Sequence, residues 1–206
     1  MNYQLYNRRG SGGFVVEAAL TLADATFTLH LLDTSPGLPL PESFRETNPW
    51  RQVPTLVLGD GSVMTETAAI LIYLNSVHKD KALGPALGSK TYSQFLRWCV
   101  FASVNVYEAV LRVTYPERYT TDLASVMHVR ESALQRAAEG LGVIEAAIGT
   151  QPFLLGQNMG ILDVYLAMLY LWFRGELEAP RLESITEHVR THPIVSPLWR
   201  RDFGAA

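Results

Sequence analysis

Asn48-Pro49-Trp50-Arg51-Gln52-Val53-Pro54-Thr55-Leu56-Val57-Leu58-Gly59-Asp60-Gly61-Ser62-Val63-Met64-Thr65-Glu66-Thr67-Ala68-Ala69-Ile70-Leu71-Ile72-Tyr73-Leu74-Asn75 decides how the first part of the chain folds. A residue before proline is pushed to extended backbone, so Val53-Pro54 cannot lie in a helix. Residues 55–58 are apolar, open on β-branched Thr55 and read as a strand. Gly59-Asp60-Gly61 supplies positive-φ positions for a tight hairpin, and residues 62–64 form its return strand. Ala68, Ile70, Leu71 and Leu74 then fall at helical spacing, so a helix begins near Glu66. Glu66 and Thr67 stand at its start, where exposed N–H groups and a hydroxyl can hold a carboxylate.

Upstream, residues 3–6 read as a short strand. Residues 11–24 read as a helix with Val15, Ala18, Ala19 and Leu22 on one face, started by Gly10-Ser11. Residues 27–32 alternate and read as a strand. Three prolines and a glycine make 34–41 a loop, and a short turn or helix follows near 42–46. The order strand-helix-strand, then strand-strand-helix, requires a mixed sheet with a helical crossover.

Downstream, residues 79–89 carry charge, proline and two glycines and read as a linker between a domain at 1–78 and another at 90–206. The second is helical throughout. Phe95, Cys99, Ala102, Val106, Ala109 and Val113 repeat by fours and threes, as do Leu134, Ala137, Leu141, Ile144 and Ile148, which marks two packed amphipathic helices. Tyr115-Pro116 ends the first; Gly149 and Pro152 bracket the end of the second. Residues 161–173 are almost continuously apolar and form a buried helix, and His192-Pro193 breaks the chain before a last short helix at 195–201.

The chain has 206 residues, 48% of them hydrophobic, enough for a sizeable core. A net charge of −3 argues against a dedicated nucleic-acid binder, which needs a basic footprint. No apolar run approaches the ~18 residues of a membrane span, and the N-terminal residues do not read as a signal peptide. With one cysteine, Cys99, there is no internal disulfide, and a cytoplasmic location is expected.

The stretch Asn48, Pro49, Val53, Pro54, Leu56, followed by Glu66, Thr67, Ala69 and Ile70, resembles the glutathione-binding half of cytosolic glutathione S-transferases of the bacterial serine/cysteine-like type. The resemblance covers nearly the whole chain, with specific motifs in the first half and pattern-level similarity in the second. It implies a thioredoxin-like α/β domain followed by an all-α domain, with glutathione as co-substrate, no tightly bound cofactor, no metal and a homodimeric assembly. It also implies a cis Val53-Pro54 peptide, with the Val53 backbone pairing with the cysteine of glutathione and Glu66-Thr67 gripping its γ-glutamyl end; Arg51 and Gln52 are placed to reach the glycyl carboxylate. Gly160-Ile161-Leu162-Asp163 resembles the family's helix-starting capping box, with glycine where a hydroxyl residue is usual.

Conjugation needs a thiolate, and a free cysteine thiol has a pKa of about 8.5. Lowering it by ~2 units takes roughly 2.7 kcal/mol of preferential thiolate stabilisation. A hydrogen bond to a charged acceptor supplies about 1.5–3 kcal/mol, and a helix N-terminus about 0.3–2. Ser11, five residues after Tyr6 and opening the first helix, meets that need by its resemblance to the family's catalytic position; serine there also simply caps helices. Tyr6, at the end of the first strand, is the alternative activator. Arg8, Arg9 and backbone amides are a third possibility. The Gly10-Ser11-Gly12-Gly13 run lacks nucleotide-loop spacing and reads as backbone open to close ligand approach. Cys99 lies on an apolar helical face and reads as core. His188 and His192 are four apart, but no acid completes a metal site.

The second substrate is expected against the first helical hairpin, at Trp98, Tyr107, Arg112 and Tyr115, with Phe14 opposite. Rings and one cation suit an apolar electrophile with a polar end. Two other readings stand beside a transferase. One is a catalytically silent binding or regulatory protein of the same fold. The other is a glutathione-dependent peroxidase, isomerase or dehalogenase.

Overall fold

The computed structural model describes residues 2–33, 40–173 and 175–204. By its contacts the chain forms two compact units, one of residues up to Leu87 together with those from Arg190 onward, the other running from Gly88 to Val189.

In the first unit β1 (Asn2–Asn7) alternates, burying Tyr3, Leu5 and Asn7 while Asn2 and Gln4 stay exposed. It lies between β2 (Thr26–Leu31), which is parallel to it, and β3 (Thr55–Val57), which is antiparallel; β4 (Val63–Met64) completes the order β2-β1-β3-β4. The parallel pair requires a crossover, and α1 (Gly13–Leu22) provides it. Nearly every α1 residue is buried, so it is a core helix rather than an amphipathic one. α2 (Glu42–Thr47) precedes β3, and α3 (Thr67–Val77) follows β4. This is the mixed thioredoxin-like arrangement expected. Of the loop expected at 34–41, residues 34–39 lie outside the described residues. The hairpin uses its glycines unequally: only Gly61 has a positive φ (87°), and the Asp60 carboxylate closes the turn by accepting from the Ser62 N–H and hydroxyl.

The register gathers three chain segments at one end of the sheet. Tyr6, near the end of β1, pairs with Thr55 at the start of β3, and Leu56 pairs with Met64 at the end of β4. The loop after β1, the Val53-Pro54 turn and the start of α3 therefore issue from the same edge.

The second unit holds α4 (Lys90–Phe101) and α5 (Glu108–Thr114), joined without a break through a π-helical turn at Ala102–Tyr107. All six residues of the expected apolar stripe are buried. Gly140 lets that wide turn pack closely: a β-carbon there would come 3.0 Å from Val106 and 3.4 Å from the Asn105 carbonyl oxygen. Gly140 belongs to α6 (Val126–Ile148), whose Arg136 also donates to Asn105 Oδ1 at 2.9 Å. On α6 the buried row contains Ala133 where Leu134 was expected; Leu134 is half-buried.

α7 (Ile161–Trp172) is buried throughout its first nine residues. Gly160 offers no hydroxyl, so only the acidic half of the capping box forms. Asp163 Oδ2 accepts the Gly160 N–H at 2.8 Å, and Oδ1 accepts the Leu154 N–H at 3.1 Å. α8 (Pro180–Thr191), which the sequence reading left unplaced, begins against buried Glu145; the carboxylate accepts from the Arg181 and Leu182 N–H groups at 3.0 and 2.9 Å.

The sequence spacing grouped the last helix, α9 (Ser196–Phe203), with the all-α region; its packing puts it in the first unit. Trp199 and Phe203 meet Phe14 edge-on at ring distances of 5.7 and 4.9 Å, and such pairs add about 0.5–1.5 kcal/mol beyond area burial.

Candidate functional site

Val53-Pro54 is cis. The turn that carries it is built on Asn48, which is 4% exposed. Asn48 Nδ2 donates to the Gln52 carbonyl and to Thr55 Oγ1, each at 2.9 Å, while its Oδ1 accepts the Trp50 N–H at 3.0 Å. Thr55 Oγ1 donates to the same Gln52 carbonyl. With residues on both sides pinned, Val53 keeps its own N–H and C=O without a hydrogen-bond partner among the described residues. Pro54 is buried; Arg51 (φ 59°) and Gln52 are exposed.

Glu66, which begins α3, has φ 65° and ψ 109°. A non-glycine residue there costs of order 1–3 kcal/mol and persists only when its surroundings impose it. Its carboxylate is exposed, Thr67 is buried, and neither side chain has a hydrogen-bond partner among the described residues. They stand at a helix start whose first N–H groups have no intrahelical acceptor, which suits an anion.

Ser11 is 5% exposed. Its hydroxyl donates to Asn7 Oδ1 at 3.0 Å and accepts the Gly13 N–H at 3.2 Å. It thus does the local work of a helix-starting serine while its proton rests on a side-chain oxygen. Asn7 Oδ1 also accepts the Arg8 N–H at 2.7 Å. Gly13, read from sequence as room for a ligand, instead makes room for Asn7. Tyr6 leaves β1 on the face opposite Asn7. Its half-buried ring stacks on His30 at 4.6 Å and leans on Phe44 at 5.3 Å.

The structure therefore brings Ser11, Arg51, Gln52, Val53, Pro54, Glu66 and Thr67 to one end of one sheet. Sequence reasoning left two residues out of the site. Asn48 had a signal, since it opens the motif. Asn7 had none.

Of the residues expected at a second-substrate site, Phe14 is fully buried in the first unit's core. The others lie in the second unit. Trp98 is buried, with the Arg97 guanidinium 4.0 Å over its ring. Tyr107, the last residue of the π-turn, sits edge-on to Trp172 at 5.4 Å and near Tyr165. Arg112 pairs with Glu108 at 3.4 Å and lies over the Tyr119 ring at 4.9 Å. Tyr115 carries Arg118 over its ring at 4.0 Å.

Cys99 is fully buried, and burial pushes its thiol up to about 12. The His188 ring packs against Phe153 and its Nδ1 meets the Ser184 carbonyl at 2.8 Å, while His192 Nδ1 accepts the Ile194 N–H at 3.3 Å. No cluster of three or more His, Cys, Asp or Glu able to hold a metal occurs among the described residues, and no helix there is long and apolar enough to cross a membrane.

The family model for the glutathione S-transferase N-terminal domain matches residues 15–77. The uncharacterized GST-like protein YncG of Escherichia coli strain K12 is 27% identical over 207 residues, covering 97% of this chain and 98% of that protein. The chain is thus similar to glutathione S-transferases, through residues 15–77 to their N-terminal domain and over nearly its whole length to YncG. Glutathione S-transferase GstA of Escherichia coli O157:H7 is 25% identical over 187 residues, covering 88% of each protein. Among solved structures, a glutathione transferase homolog from Sulfitobacter with bound glutathione superposes with a TM-score of 0.83 at 20% identity, covering 95% of this chain and 96% of that one. The Val53 turn and the Glu66-Thr67 helix start both lie within the stretch that this family model matches.

Proposed function

We propose that this protein is a glutathione S-transferase that binds glutathione at the end of the β-sheet and conjugates its sulfur to small, largely apolar electrophiles. The observation that carries the reading is Val53. Its N–H and C=O have no partner among the described residues and are left to pair main chain to main chain with an extended tripeptide. Glu66 and Thr67 take the γ-glutamyl end, and Arg51 and Gln52 the glycyl carboxylate.

Ser11 stabilises the thiolate. The thiol gives its proton to solvent, and Ser11 turns its O–H from Asn7 to the sulfur. The thiolate then donates an electron pair to an electrophilic carbon. A C–S bond forms, and either a leaving group departs with its bonding pair or an activated double bond takes a proton from water. Ser11 can turn without stranding Asn7, whose Oδ1 keeps the Arg8 N–H. Tyr6 is the weaker candidate, because its ring lies on the other face of the sheet against His30 and Phe44. Trp98, Tyr107, Arg112 and Tyr115 are proposed to receive the electrophile, although Trp98 offers little open surface. The protein works in the cytoplasm as a homodimer; light scattering at the 22.9 kDa monomer mass would refute the dimer.

The test is retention on immobilised glutathione, then assay of the eluted protein with an electrophile panel. Retention and turnover support the reading. Retention without turnover identifies a silent binding protein. Turnover of hydroperoxides or haloacids alone moves the activity to reduction or dehalogenation, and failure to bind glutathione refutes the proposal.

A further inference from the structure

A run of charged and amide groups links α9 to the turn that carries Ser11. Asn7 Nδ2 donates to Glu17 Oε2 at 3.2 Å. Both oxygens of Glu17, 3% exposed, are held by the Arg201 fork at 2.6 and 2.8 Å. Arg201 Nε donates to Asp202 Oδ1 at 2.7 Å, and Asp202 Oδ2 accepts the Gly10 N–H at 3.3 Å. The path leaves the Ser11 turn on one side and returns to it on the other.

This arrangement fixes more than stability. The Asn7 amide has one orientation open to it, with Nδ2 toward the Glu17 carboxylate and Oδ1 toward the Arg8 N–H and Ser11. A buried carboxylate keeps its charge only if paired, and the bidentate Arg201 fork supplies the pair. Gly10, at φ 65°, is the left-handed hinge of the turn, and Asp202 holds its N–H.

We propose that Arg201 and Asp202 are positioning residues for Ser11, so that the last helix of the chain helps set the acidity of the bound thiol. The inference rests on the role of Ser11 proposed above.

The test compares Asp202→Ala, Asp202→Asn and Arg201→Lys with wild type, and repeats Asp202→Ala in a Ser11→Ala background. The readouts are the pH dependence of thiolate absorbance of bound glutathione, and kcat and KM. Asp202→Ala is expected to move thiol ionisation to higher pH and lower kcat at neutral pH about tenfold, with KM for glutathione within about twofold. Asp202→Asn, which keeps an oxygen for Gly10, should recover much of this. Arg201→Lys, a point charge without the fork, should not. In the Ser11→Ala background the Asp202→Ala effect should shrink to within about twofold, because coupled residues are not additive.

An equal effect in both backgrounds, or an unchanged thiol titration with only a lower melting temperature, overturns the inference. If Ser11→Ala alone leaves the titration unchanged, the Ser11 role fails and this inference with it. If Ser11→Ala shifts it and no Asp202 or Arg201 variant does, only this inference fails. Should Asp202→Ala not fold, Arg201→Lys in the wild-type and Ser11→Ala backgrounds carries the same comparison.

Discussion

A β-carbon placed on Gly13 would lie 1.8 Å from Asn7 Oδ1. Real atoms cannot approach so closely, so any side chain at position 13 must displace Asn7. That residue orients the Ser11 hydroxyl and meets Glu17 in the core. Gly13→Ala improves local helix propensity by about 1 kcal/mol, yet it should destabilise the protein, because overpacking typically costs about 1–3 kcal/mol and breaks a buried hydrogen bond. Urea unfolding should show a net loss of stability, and turnover should fall. A gain in stability would mean that Asn7 moves freely.

Removing the Ser11 hydroxyl separates chemistry from binding. Loss of about 1.5–3 kcal/mol of charged hydrogen bonding predicts a rate reduced roughly 10–150-fold at neutral pH in Ser11→Ala. Glutathione affinity should change less, since Val53, Glu66 and Thr67 are intact, and higher pH should partly restore the rate by ionising the thiol directly. Tyr6→Phe should be milder. The reverse pattern, with Tyr6→Phe inactive and Ser11→Ala unaffected, would assign activation to the phenol; if neither matters, Arg8, Arg9 and backbone amides become the candidates.

Glu66 holds its backbone at φ 65°. Glycine adopts φ 65° without a side-chain clash, so Glu66→Gly should raise stability by up to about 1 kcal/mol. It should weaken glutathione binding at the same time, because a side chain proposed to grip the γ-glutamyl end is lost. Thermal melting and glutathione titration read the two effects separately. A variant that is less stable and binds equally well would show that the strain serves folding alone.

Asp163 predicts an unusual pH dependence. Burial raises its carboxyl from 3.8 to about 6, against the opposing pull of the Gly160 and Leu154 N–H groups. Between those values the folded state holds a proton that the unfolded state has released. Stability from this group is therefore complete below about pH 4 and declines as pH rises to about 6, by up to about 3 kcal/mol. Asp163→Asn cannot titrate and loses one N–H acceptor. Its deficit relative to wild type should be larger at pH 4 than at pH 7 in urea unfolding. A deficit that grows with rising pH would show that the N–H groups outweigh burial.

The sequence alone determined the sheet, its order of elements and the Val53-Pro54 turn. Those features are written locally: Val-Pro excludes helix, Gly61 permits the hairpin, and the spacing from Ala68 to Leu74 makes α3. The stripe from Phe95 to Val113 was also legible, because burial repeats with helical period. Its π-turn was not, since the extra residue per turn is fixed by Gly140 and Arg136 on another helix. Ala133 displaced Leu134 from the buried row for the same reason: the partner surface, not the residue, chose the face. α8 left a signal in Leu182, Ile185 and Val189, which fall at helical spacing and are buried. Glu17 left one too, as a lone charge inside an apolar helix. Only tertiary structure decided that Glu17 meets Arg201, that α9 packs on Phe14, and that the Gly10 N–H donates to Asp202. These partners are set by packing between segments far apart in sequence, and no local pattern encodes which distant charge will answer a buried one.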